Sequence, residues 1–253
     1  MTQEEYEEKL VALMLHWQSI IDDVQAELSS DVEDVVIEMM KDIARHETTW
    51  IMSFEGMKRL DSFEMELKGL MDSYSETLRE SLLGAYRESF STFVGQALTS
   101  GGDMLEDEAE LLFSIEEAVT NFKGTFTMRI NSLLIILRQQ SVLEDNEVVF
   151  TNLIKETSTL LYQLSRHLKY QMSFYVNLGI IQEAYESGVE AVEWNTRPEM
   201  TVSGTCDSCL RKSRGGINES GIYPTKTAPI IPDHPFCVCV YIPVRLPEVI
   251  IAP

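Results

Sequence analysis

From its start to about Gly188 the chain carries apolar residues at three- and four-residue steps. Tyr6, Leu10, Leu13, Met14, Trp17, Ile20, Ile21 and Val24 fall on one face of a helix. Ser30 and Glu33 have the spacing of a capping box, in which the hydroxyl satisfies a free backbone N–H and the carboxylate reaches back. A second helix is therefore predicted to open there and to carry Val36, Met39, Met40, Ile43 and Trp50. A third ladder, Leu78, Leu82, Tyr86, Phe90, Phe93 and Leu98, runs to Gly101-Gly102, where a left-handed cap meets no Cβ clash. Asp103 and Glu106 restart a helix with an acidic first turn, and it continues through Leu112, Ile115, Val119, Phe122, Phe126, Ile130, Leu133 and Leu137. After a turn at Glu144–Glu147, Phe150, Leu153, Ile154, Leu160, Leu161, Leu164 and Leu168 define one more helix. No sequence repeat stands out.

The pattern changes after Trp194. All eight prolines lie from Pro198 onward, with every cysteine. Proline removes backbone donors and glycine frees the chain, so long helices are not expected here. Only Val238–Val244 and Val249-Ile250-Ile251 read as strands. The expected fold is mainly α: an elongated helical bundle over residues 1–190, with a small irregular α+β appendage over 191–253. Such a core-poor appendage needs a staple to fold.

Charge narrows the function. The formal net charge is -21, and a surface that negative repels phosphate, which argues against duplex DNA binding by the whole chain. The acidic opening Met1-Thr2-Gln3-Glu4-Glu5 is unlike a secretory leader. The longest apolar run, Phe236–Ile242, is far short of the roughly 20 residues that span a bilayer. Folding in a reducing cytoplasm, without membrane association, is the expectation, and disulfides are rare there.

Against that background the four cysteines gain meaning. Cys206 and Cys209 form Cys-x-x-Cys, and His234, Cys237 and Cys239 follow a Gly/Pro-bearing loop. The first pair has the spacing at which one turn aims two thiolates at one ion, and two of the other three complete a tetrahedron. A structural zinc ion suits such soft and borderline ligands. The sequence leaves open whether all four cysteines bind, or three with His234. Small buried thiols, disulfides formed late, and a catalytic pair are the competing readings. A core-poor loop, cytoplasmic synthesis and the missing βαβ context weigh against them in turn.

Other patterns carry less. His46-Glu47-Thr48-Thr49-Trp50 lacks the second histidine of a zinc-protease helix and reads as ordinary helix. His16 and His167 read as surface or core-edge residues, and Glu106–Glu108 as a solvated helix start without the spacing of a calcium loop. Asn218-Glu219-Ser220 matches a glycosylation acceptor, which has no bearing without secretion. Arg197, Arg211, Lys212, Arg214 and Lys226 make the tail locally basic, a candidate contact for DNA or an acidic partner. No phosphate-binding loop, nucleophile elbow or acid/base pair stands out, so no enzymatic activity is expected.

Over about residues 165–242 the order of motifs resembles the phage head-morphogenesis proteins, the minor head proteins of the Mu F type. It runs Asn177, Gly179, Ala184-Tyr185 and Gly188, then Val192-Glu193-Trp194-Asn195-Thr196, then Cys206, Cys209 and Gly215, and closes with His234-Pro235-Phe236-Cys237-Val238-Cys239. Trp194, Thr196 and Pro235 belong to this pattern as structural positions, and Val238 stands where the family carries Arg. The resemblance implies a virion protein at the inner head or portal vertex, oligomeric in the particle. It would meet the portal or major capsid protein, and packaged DNA through the tail loop. It would act in head assembly, packaging or ejection. Two rivals from other classes are a toxin or nuclease-type enzyme delivered in the virion on such a tail, and a host-encoded helical adaptor with a zinc appendage. Neighbouring genes discriminate among them.

Overall fold

The computed structural model of the chain describes residues 3–46, 48–94, 104–140, 144–197, 205–234 and 237–244. It is mainly helical: α1 (Gln3–Arg45), α2 (Phe54–Val94), α3 (Met104–Ile135) and α4 (Asn146–Glu186) are long, and α5 (Asp207–Lys212) is short. Strands β1 (Ala191–Asn195), β2 (Ile222–Pro224) and β3 (Val240–Val244) form an antiparallel sheet in the order β2-β1-β3. None of the helices, among the described residues, is long and apolar enough to cross a membrane.

Three sequence expectations are corrected. The capping-box spacing at Ser30 does not start a helix, because α1 runs through it without a break. Leu28, Val32, Val36, Met39 and Ile43 are all buried, so one apolar stripe crosses the site, and continued burial outweighs a local cap. Trp50 lies not on that helix but in a 3-10 turn, Thr48–Met52, ahead of α2. The turn expected at Glu144–Glu147 is shorter, since α4 begins at Asn146, with Asp145 Oδ1 accepting from Val148 N–H at 3.1 Å. Of the strands, the Val238–Val244 stretch is extended from Val240, β1 and β2 were not anticipated, and Val249–Ile251 lie outside the described residues, as do Gly101 and Gly102.

The chain divides into two compact units. One draws on residues 22–80 and 113–168. Its core is Val36, Met39, Phe63, Leu67, Phe122, Phe126, Leu153 and Leu160, all essentially inaccessible. Ion pairs link its helices at the surface, including Arg59 with Asp42 at 2.7 Å and Arg129 with Glu156 at 2.9 Å. His167 is half-buried there, with Nε2 3.0 Å from the Ala118 carbonyl, and burial lowers its pKa.

The other unit draws on residues 1–21, 81–112 and 169–253. Leu10, Leu13 and Trp17 of α1, Leu82 and Ala85 of α2, and Tyr175, Val176 and Ile180 of α4 are buried in it. α4 crosses α2 closely at Gly179: a Cβ there would stand 2.7 Å from the Tyr86 carbonyl oxygen and 2.8 Å from Ser89 Cβ. α4 then ends in a Schellman motif. Gly188, at φ 70°, donates to Tyr185 O at 3.1 Å, and Val189 N–H donates to Ala184 O at 2.8 Å. This glycine stop turns the chain directly into β1.

Candidate metal centre

The centre is built on two short turns and the start of a strand. Cys206 is the N-cap of α5, and its sulfur accepts from Cys209 N–H at 3.4 Å. That bond closes the Cys-x-x-Cys turn and carries Cys209 into a buried position while Cys206 stays exposed. Tyr223 OH donates to the Lys212 carbonyl at 2.6 Å, and Gly221 N–H to Gly215 O at 2.7 Å, folding the intervening loop against α5. The second turn is tied by Cys237 N–H donating to His234 O at 3.1 Å, and the chain then enters β3 past Cys239.

These turns converge. His234 Nε2 lies 3.0 Å from Cys206 Sγ and 3.3 Å from Cys209 Sγ, and Cys209 Sγ lies 3.7 Å from Cys237 Sγ. Two ligand triads result, Cys206–Cys209–His234 and Cys209–Cys237–Cys239, each with its donor atoms within 4.8 Å of one another. All five residues singled out in the sequence are thus brought together, and Cys209 belongs to both sets. Sulfurs about 2.3 Å from a tetrahedral ion stand about 3.8 Å apart, so the spacing of Cys209 and Cys237 suits one. The donor set is sulfur-rich and can hold a metal ion.

Electrostatics favour thiolates at two positions. Burial pushes the Cys206 thiol up, but hydrogen bonds from Cys209 and Ser208 and the charge of His234 outweigh it, leaving the pKa lowered. Cys237 is lowered chiefly by its hydrogen bond with Cys239, against the opposing effect of burial. Cys209 is raised mainly by burial, and Cys239 mainly by its bond to Cys237.

A latch flanks the centre. Asp233, beside His234, accepts from Ser208 Oγ and from Lys212 Nζ, both on α5. The Lys212 and Ser208 hydrogen bonds hold its carboxyl below the usual carboxylate range. Lys212 Nζ also stands 5.0 Å from the Trp194 ring centroid. Trp194 is buried on β1, edge-on to Tyr241 at 5.7 Å.

Among the candidate contact residues, Lys212 is therefore engaged inside the tail, and Lys226 lies 5.5 Å over the Tyr185 ring. Arg211 and Arg214 are exposed, and Arg197 is half-buried. Thr196 is half-buried after β1, and Pro235 lies outside the described residues. His46 stacks on Trp50 at 4.4 Å, and His16 is exposed, 3.9 Å from Glu88.

The role of Asn177 was not legible in the motif. Its side chain is 1% exposed and sits on α4. Nδ2 donates to Ser173 O at 2.8 Å and to Cys239 O at 3.3 Å, while Oδ1 accepts from Tyr241 N–H at 2.9 Å. One amide thus fastens the Cys-x-Cys turn and the start of β3 to the helix. The signal available was a polar residue inside the apolar face formed by Tyr175, Val176 and Ile180.

Compared with known proteins, the chain matches no family model, no curated protein and no solved structure.

Proposed function

We propose that this chain is a structural virion protein of the phage minor-head type, whose C-terminal tail folds around one zinc ion. The observation that carries the reading is the convergence of Cys206, Cys209, His234, Cys237 and Cys239, from two motifs well separated in the chain. Soft thiolates with one imidazole favour zinc over hard cations such as magnesium or calcium. A closed, sulfur-rich shell leaves no position for a reacting water, so the ion's part is structural. Its binding free energy, roughly 10–16 kcal/mol in small zinc domains, supplies what the core-poor loop lacks.

In this reading the tail is a rigid recognition element whose exposed Arg211 and Arg214 face an acidic neighbour or packaged DNA. The long helices supply the contact with the portal or capsid.

The experiment has two arms. Purified protein should hold about one zinc per chain, and chelator should expose the tail to protease. Protein expressed with its particle should sediment with heads, and its density should lie at the portal vertex. Absence of zinc with an unchanged tail in chelator overturns the metal reading. A particle that assembles and packages normally without the gene overturns the head-protein reading.

A further inference from the structure

The five donors of the centre do not gather around a single point. They fall into two sets of three, Cys206–Cys209–His234 and Cys209–Cys237–Cys239, and within each set the ligand atoms lie within 4.8 Å of one another. Among the described residues no set of four closes up in this way. Cys209 belongs to both sets: its Sγ is 3.3 Å from His234 Nε2 on one side and 3.7 Å from Cys237 Sγ on the other. Cys206 Sγ completes the outer set, 3.0 Å from the same His234 nitrogen.

The sets also differ in access. Cys206 is exposed, whereas Cys209, Cys237 and Cys239 are 1%, 5% and 2% exposed. An ion in the inner set is shut off from the solvent that would supply a fourth ligand. A four-coordinate ion such as zinc draws its shell from both sets and leaves one donor unused. Copper(I) is soft, thiophilic and satisfied by three ligands, so a pair of such ions employs all five donors, with Cys209 shared. We propose that the centre takes two copper(I) ions, one held by Cys206, Cys209 and His234 and the other by Cys209, Cys237 and Cys239, with the Cys209 sulfur bridging them. The proposal rests on the metal reading above and goes beyond it in the kind and number of ions. Exposed Cys206 is the point of entry, and the buried all-sulfur set is the more protected position.

The test uses the full chain, titrated without oxygen with copper(I) as its acetonitrile complex against bathocuproine as competitor, and in parallel with zinc. The natural chain should take up about two copper ions, or about one zinc ion, and X-ray absorption at the copper edge should show a short copper–copper path. Cys206→Ser and Cys239→Ser each break one set, and each variant should hold about one copper ion and lose that path. Cys209→Ser breaks both sets and should bind copper at least about tenfold more weakly than either. Helical circular dichroism checks that each variant is folded.

A natural chain that binds zinc but stops at one copper ion, or holds two with no copper–copper path, overturns the bridged pair and leaves the metal reading intact. A Cys209→Ser chain that still holds two copper ions overturns it as well. Two bridged copper ions without uptake of zinc support the pair and remove zinc from the reading above. A natural chain that binds neither metal removes both.

Discussion

Replacing Asn177 by Leu keeps the side chain's approximate volume on α4 but removes its hydrogen bonds. Tyr241 N–H then loses the acceptor that now lies 2.9 Å away, and the Cys239 carbonyl loses its donor at 3.3 Å. Both groups belong to buried residues. An orphaned buried polar group costs about 1–3 kcal/mol. The Cys239 bond is long and contributes least, so the net loss is put at about 2–3 kcal/mol. At about 1.4 kcal/mol per factor of ten, a loss of about 2 kcal/mol speeds exchange of the Tyr241 amide by roughly 30-fold, where exchange follows local opening of β3. Hydrogen exchange read on the peptide containing Tyr241 measures this, with the amides of α1 near Val36 as an internal reference. The unit of residues 22–80 and 113–168, which holds Val36, should keep its protection. Unchanged protection at Tyr241 in a folded Asn177→Leu protein would refute the role assigned to the amide. Asn177→Asp is a useful companion: it retains an acceptor for Tyr241 but cannot donate to Cys239.

Three more expectations follow from buried groups. Burial pushes the Glu183 carboxyl from 4.5 up to about 8, so folding takes up a proton between those values. Stability should fall as pH rises through that window, by up to about 1.4 kcal/mol per unit, and Glu183→Gln should flatten the dependence in melts at pH 5 to 9. Gly179→Ala should destabilise by about 1–3 kcal/mol in urea titrations despite its better helix propensity, because its Cβ meets backbone of α2; equal or higher stability contradicts the close crossing. The Asp233 carboxyl is lowered by Lys212, so its contribution is present above the ordinary value of 3.8 and lost as pH falls through the folded value. Lys212→Met should cost about 1 kcal/mol at neutral pH and reduce the acid sensitivity of the tail, followed by proteolysis.

The long helices were legible because their stripes are continuous: Leu10 to Ile43 on α1, and Ile115 to Leu137 across α3 and the π turn that follows it, are buried where periodicity places them. The candidate metal centre was legible because two short motifs each define a local turn, and only their meeting had to be inferred. The boundary at Ser30 misled because a capping motif reports a local preference, whereas the side chains on either side of it stay buried. β1 was missed for another reason. Its Val192 and Trp194 make only a five-residue alternation, and its partners lie far along the chain, at Ile222–Pro224 and Val240–Val244. Asn177 shares that difficulty, since its acceptor and donor are separated from it by 62 and 64 positions.

β3 forms one margin of the three-stranded sheet. A bare margin invites a strand from a neighbouring molecule to zip on through its outward amides and carbonyls. On this margin the Tyr241 amide is already bonded to a helix side chain, so an intruding strand must first strip β3 away from α4. Strand addition at this edge would therefore have to compete with the Asn177 side chain for the Tyr241 amide.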